Sequence, residues 1–192
     1  MKIVIRKKSL IKIAVPIILI LTLLMAVAIP VSAATIVGYR HSSSTIYYYY
    51  DNWVGSKAIS MFSYGANAWK DATTEATLNH YSSNPNSGYD VYMCAGYIDN
   101  VDWDGVTQTT ATMNGIVNSQ TVTLNMSARA WNVDGALKSV ITHEIGHVFG
   151  LGETGMVRAI MNPYTFGSNS RYEGYGLTTP QADDVYGVEY WY

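Results

Sequence analysis

Two histidines four residues apart with a glutamate beside the first, His143, Glu144 and His147, are the residues of this 192-residue chain whose types and spacing could do chemistry. On a helix, positions four apart are displaced by about 40° around the axis, so both imidazoles can point at one small cation. A zinc ion held by neutral imidazole nitrogens keeps a position open for water and lowers its pKa towards roughly 7, and Glu144 is placed to take that proton. Gly150 stands where the helix needs a left-handed residue to end, which turns the chain and brings Glu153 back as a third ligand. HExxH alone occurs in many helices. The longer pattern, HExxHxxGxxE, adds one more glycine and a further ligand position at fixed spacing. A surface helix with two incidental histidines is the plain alternative, and it leaves unexplained why two of the chain's four histidines fall here.

The element that must carry this motif is an amphipathic helix starting near Asp134. Leu137, Ile141, Ile145 and Val148, spaced four, four and three, form its core stripe, and Ile141 and Ile145 lie about 200° around the axis from His143. The helix can therefore pack on one side and offer its histidines to a cleft on the other. Upstream, residues 45–50 are tyrosine-rich and β-prone, and alternation puts only half of the tyrosines on any one face, as a strand with one buried side requires. Ser56 reads as the N-cap of a helix with Ile59, Phe62, Ala66 and Trp69 on its core face. Residues 76–81 and 89–97 read as strands separated by the turn-rich stretch 82–88, and His80 belongs to the first of them. Residues 106–113 read as a threonine-rich strand with little to bury, suited to a sheet edge. Asn114 and Gly115 mark a turn, and 121–125 alternates as another strand. In 178–187, a threonine caps a final helix with Pro180 in its first turn.

Residues 1–33 have the layout of a secretory signal peptide. Lys2, Arg6, Lys7, Lys8 and Lys12 precede a nearly unbroken apolar run over 13–31, and Val31, Ser32 and Ala33 supply a cleavage site. The run is long enough that an uncleaved membrane anchor is the alternative. Both place the remaining domain, 34–192, outside the membrane, with no stable membrane association once the leader is cleaved. Cleavage removes five of the twelve basic residues and none of the fourteen acids. An acidic excess of seven argues against nucleic acid as a partner. The lone Cys94 cannot form an internal disulfide and, lying in an apolar strand-like run, reads as a buried thiol. Asp99, Asp102 and Asp104 before Gly105 could hold calcium, but the spacing lacks the distal glutamate of a calcium loop, and a solvated acidic turn is the alternative.

The run HEIGHVFGLGE, followed eight residues after Glu153 by Met161 in Ala-Ile-Met-Asn-Pro, resembles the zinc helix and Met-turn of the metzincin endopeptidases, most closely the matrixins. The similarity covers residues 45–192. It implies an α+β fold: a twisted, mostly parallel five-stranded sheet with one antiparallel edge strand, two long helices packed on it, and a small C-terminal subdomain with a final helix. It further implies catalytic zinc on His143 and His147, Glu144 as general base and later general acid, and Met161 beneath the metal. Pro163 and Tyr164 would form a wall of the pocket after the scissile bond, and the edge strand would hold an extended substrate. Protein or peptide substrates and a monomeric, secreted enzyme follow from the same likeness.

Three departures from the family pattern stand out. Glu153 occupies a position where the family has His or sometimes Asp; glutamate is a competent zinc ligand. The pro-segment with its switch cysteine is missing, because Cys94 lies inside the domain. Histidines for the structural zinc of animal matrixins have no counterparts, since His41 and His80 alone do not make that site. The competing function is a secreted binding or adhesion module that keeps the fold with a decayed site. Retention of Glu144, which a pure binder does not need, favours the enzyme.

Overall fold

A computed structural model of the chain describes residues 35–51, 53–82 and 89–192. The expected leader over 1–33 and most of the turn over 82–88 lie outside the described residues. Five strands, β1 (Thr45–Tyr49), β2 (Thr77–His80), β3 (Val91–Gly96), β4 (Gly105–Ala111) and β5 (Val117–Asn125), form one sheet in the order β2-β1-β3-β5-β4. The first four in that order run parallel and β4 pairs antiparallel with β5 at the edge. Ile46, Tyr48, Val91, Met93, Val122 and Leu124 are buried at alternate positions, so each central strand turns one face to the core. β4 buries none of its residues, as expected of an edge that faces a cleft.

Helices α1 (Ser56–Ala72) and α2 (Asp134–Val148) pack on each other and on the sheet. Phe62, Ala66 and Trp69 of α1 meet Leu137, Ile141 and Ile145 of α2 in one buried cluster. The Trp69 indole N–H donates to the Thr142 carbonyl at 2.8 Å, and its ring meets Phe149 edge-on at 5.4 Å. One aromatic side chain thus anchors the end of α2 that carries the motif. A third helix, α3 (Ala182–Trp191), closes the chain. Among the described residues no helix is long and apolar enough to cross a membrane.

Several boundaries differ from the sequence expectation. Ser56 is the first helical residue of α1, while Gly55 takes the N-cap place with extended backbone and no side-chain bond. The cap of α3 is Gln181 instead of a threonine, and Pro180 precedes the helix. The reason is a capping box in which the Asp184 carboxylate accepts the Gln181 N–H at 2.7 Å. β5 begins at Val117, four residues before the alternating pattern, because the tight turn through Gly115 pairs these polar residues with β4. Cys94 is half-buried, with Sγ 3.3 Å from Thr123 Oγ1, not fully enclosed. The strand alternates its faces, and Cys94 falls opposite the buried Val91 and Met93 face.

Candidate metal centre

His143 and His147 occupy successive turns near the C-terminal end of α2. The helix stops in a Schellman motif: Gly150 N–H donates to the His147 carbonyl and Leu151 N–H to the Gly146 carbonyl, both at 3.0 Å. Gly150 has φ +85°, the left-handed conformation that the pattern required of it. This turn does two things. It directs the chain back so that Glu153 faces the histidines, and it places the Leu151 carbonyl 2.8 Å from His147 Nδ1. The Ile160 carbonyl lies 2.9 Å from His143 Nδ1.

A carbonyl oxygen accepts and never donates, so both Nδ1 atoms carry hydrogen and each neutral ring presents a bare Nε2 lone pair. Those two nitrogens are 3.2 Å apart, and the Glu153 carboxylate oxygen Oε1 is 3.3 Å from one and 3.5 Å from the other. Three electron pairs converging on one point require a proton or a metal cation between them. A tetrahedral zinc with bonds of about 2.0–2.1 Å sets its ligand atoms about 3.3 Å apart, so the donor set fits that ion in chemistry and in spacing. Among the described residues this is the one group of three or more His, Cys, Asp or Glu side chains that converges this way. Asp99, Asp102 and Asp104 of the acidic loop form no such group.

Electrostatics agree with a site awaiting positive charge. In the metal-free protein burial would raise the Glu153 carboxyl, but hydrogen bonds and charge from the two histidines, once a proton occupies the shared point, outweigh it and hold the pKa at about 2. Burial would lower His147, but Glu153 and Glu144 outweigh that and raise it. His143, fully enclosed and near the Arg171 guanidinium, is lowered.

Glu144 is 4% exposed and lines a cleft of about 590 Å³ together with His143, His147 and Glu153. Its carboxylate oxygen Oε2 lies 2.8 Å from Thr107 Oγ1 on β4, and the same hydroxyl is 2.9 Å from the Glu144 carbonyl. Thr107 therefore pins the side chain at one oxygen and leaves the other available. Met161 is 1% exposed, and a Cβ at position 146 would collide with its sulfur, so the glycine inside the motif is what lets Met161 pack against α2 between the positions of the two histidines. Asp184 accepts the N–H groups of Ile160 at 2.8 Å and Met161 at 3.1 Å, which ties α3 to the turn whose carbonyl orients His143. Pro163 and Tyr164 line the same cleft, and Tyr164 is 67% exposed.

Sequence reasoning missed three contributors: Thr107, Asp184 and Arg171. Asp184 had a signal, an acid three residues after a possible cap before an apolar run. Thr107 had none, because nothing in a threonine-rich strand says which hydroxyl will meet a residue 37 positions away. The segment before β1, which the sequence left unassigned, also enters the cleft. Ile36 bridges to Leu151, and Val37 and Tyr39 line the cavity.

A family model for the matrixins matches residues 65–192. Among solved structures, a chain in the GM1 bound form of the ECX AB5 holotoxin aligns with a TM-score of 0.52 at 15% identity, covering 82% of this chain and 86% of that one. At that identity the likeness is one of fold alone. No match was found among the curated proteins. The family match spans the site helix, the Met-turn and the closing helix, and the five-stranded mixed sheet agrees with it. This chain therefore belongs to the matrixins, a family of zinc metallopeptidases.

Proposed function

We propose that the protein is a secreted endopeptidase that hydrolyses peptide bonds with Glu144 as general base and with His143, His147 and Glu153 as the zinc ligands. The observation that carries the reading is the convergence of three lone pairs within 3.2–3.5 Å beside a buried carboxylate that a neighbouring strand holds in place. Bound there, zinc would supply a Lewis acid that polarises a carbonyl and makes water more acidic. Glu144 takes the proton from the attacking water and returns it to the leaving amine. Thr107 fixes the carboxylate during both transfers. The outer edge of β4 has no neighbouring strand among the described residues, so it can take an extended peptide backbone across the cleft. Pro163 and Tyr164 line the same cleft and would form a wall of the substrate pocket. As a charged ligand, Glu153 partly neutralises the cation and leaves it less able to acidify water than a third histidine would.

The leader over 1–33 supports export and action outside the membrane, on protein or peptide substrates, as a monomer. The binding-module alternative is not favoured, because Glu144 is retained, buried and held by Thr107. Cleavage of casein by the purified, zinc-loaded domain tests the reading. The expected result is activity that disappears with a chelator and in Glu144→Ala, while that variant stays folded and keeps its zinc. Full activity in Glu144→Ala would overturn it.

A further inference from the structure

The cleft contains a cation for which the proposed reaction has no task. Arg171 comes from the loop after Met161, is 3% exposed, and lines the same cavity as Glu144 and the histidines. Its guanidinium donates to the Asn162 carbonyl at 2.7 Å and to Thr165 Oγ1 at 2.8 Å, both neutral acceptors. Nε has no hydrogen-bond partner, and among the described residues no carboxylate lies within ion-pair distance of the group. Burial pulls its pKa down, against the longer-range charges of Glu144, Glu153 and Asp104. Of those acids, Glu153 is engaged with both imidazoles and Glu144 with Thr107, while Asp104 lines the same cleft and stands beyond ion-pair distance of the guanidinium. An enclosed guanidinium with two neutral partners for five N–H donors is an unbalanced charge that an incoming carboxylate would balance.

Its position says where that carboxylate would come from. Asn162 and Thr165, which hold the guanidinium, flank Pro163 and Tyr164 in a wall of the cleft that Val106 and Thr107 of β4 also line. A backbone stretched along β4 projects alternate side chains away from the sheet plane, and one beside the reacting bond can reach this wall. We propose that Arg171 is a specificity-determining residue, receiving the carboxylate of an aspartate or glutamate side chain beside the scissile bond. The enzyme then cleaves next to acidic residues in preference to neutral ones of equal size. The inference rests on the peptidase reading and names its substrate class.

Matched peptides carrying Glu, Gln or Leu at each of the three positions on either side of the bond test it on the zinc-loaded protein. At one position, kcat/KM for Glu should exceed that for Gln by about tenfold or more, as a charge-assisted hydrogen bond implies. Arg171→Leu should bring that ratio to one or below, and Arg171→Lys should keep its direction. A purely structural role in bracing the 162–165 turn would slow all peptides alike and leave the ratio unchanged. A wild-type ratio of one or less at every position overturns the proposal without any variant, so poor folding of Arg171→Leu does not shield it. If no peptide is cleaved, the peptidase reading fails, and calorimetric titration of the same Glu and Gln peptides decides the role of Arg171 separately. Tighter binding of the Glu peptide to wild type, lost in Arg171→Leu and kept in direction in Arg171→Lys, upholds it; equal affinities overturn it.

Discussion

The four histidines of this chain form two pairs with opposite fates. His143 and His147 each give Nδ1–H to a backbone carbonyl and turn Nε2 towards a shared point. His41 is also buried, but its Nε2 lies 2.7 Å from Gln120 Oε1, which uses up the atom a metal would need. His80 is exposed and stacks on Tyr50 with ring centroids 4.5 Å apart, as an aromatic surface residue would. Burial and residue type do not separate the pairs. The separation comes from which ring nitrogen the backbone occupies, and it is the turn after α2 and the Met-turn that occupy Nδ1 in the first pair.

That contrast can be broken most severely at the residue between the paired ligands. Replacing Glu144 by alanine should lower kcat/KM by roughly 10²- to 10⁴-fold, the range of general acid–base catalysis, with zinc content unchanged by elemental analysis. Next in size, His143→Ala should weaken zinc affinity by more than the roughly 10- to 100-fold that loss of an outer-shell partner causes, whereas His41→Ala should leave it unaltered. Competition with a chromophoric chelator measures both. Glu153→Ala should also weaken zinc; unchanged affinity would remove it from the ligand set. Thr107→Val should cost about tenfold in kcat without changing zinc affinity, since it removes a hydrogen bond to a charged group and leaves the ligands alone. An equal loss of metal would place Thr107 in the scaffold instead.

The smallest effect sharpens the electrostatic side of the comparison and concerns metal-free protein. The Glu153 carboxyl, depressed from 4.5 to about 2, stabilises the fold above pH 4.5 and loses that contribution as pH falls towards 2. His147 is raised above 6.5, so its contribution is complete below pH 6.5 and is lost as pH rises through the raised value. Glu153→Gln should therefore lower the Tm of the chelator-treated protein most between pH 4.5 and 6.5. A difference that is constant with pH would detach Glu153 from the imidazoles.

Much of this was legible in one dimension because it is local. The spacing of Leu137, Ile141 and Ile145 against His143 placed stripe and ligands on different faces of α2, and a glycine at 150 announced the turn. The edge character of β4 was readable from its threonine-rich composition, which leaves little to bury. Capping was less so: the threonine before Pro180 looked like a start for α3, yet the capping box with Asp184 placed the start after Gln181. The acidic loop at 99–104 suggested calcium by count, while calcium binding depends on where carboxylates point, and these do not gather.

By itself the amino-acid order determined the helix with its histidines one turn apart, the left-handed stop, the acid at the third ligand position and the alternating strands. Each follows from helical or strand period and from the conformations a residue permits, which are properties of neighbours in the chain. Only the tertiary structure decided that the Ile160 carbonyl takes His143 Nδ1, that Thr107 holds Glu144, that Asp184 ties α3 to the Met-turn, and that Arg171 stands enclosed against Asn162 and Thr165. These contacts join residues separated by 17 and 37 positions in the first two cases. Such pairings arise from how α2, β4 and the C-terminal loops pack around one cleft, and no period along the chain encodes them.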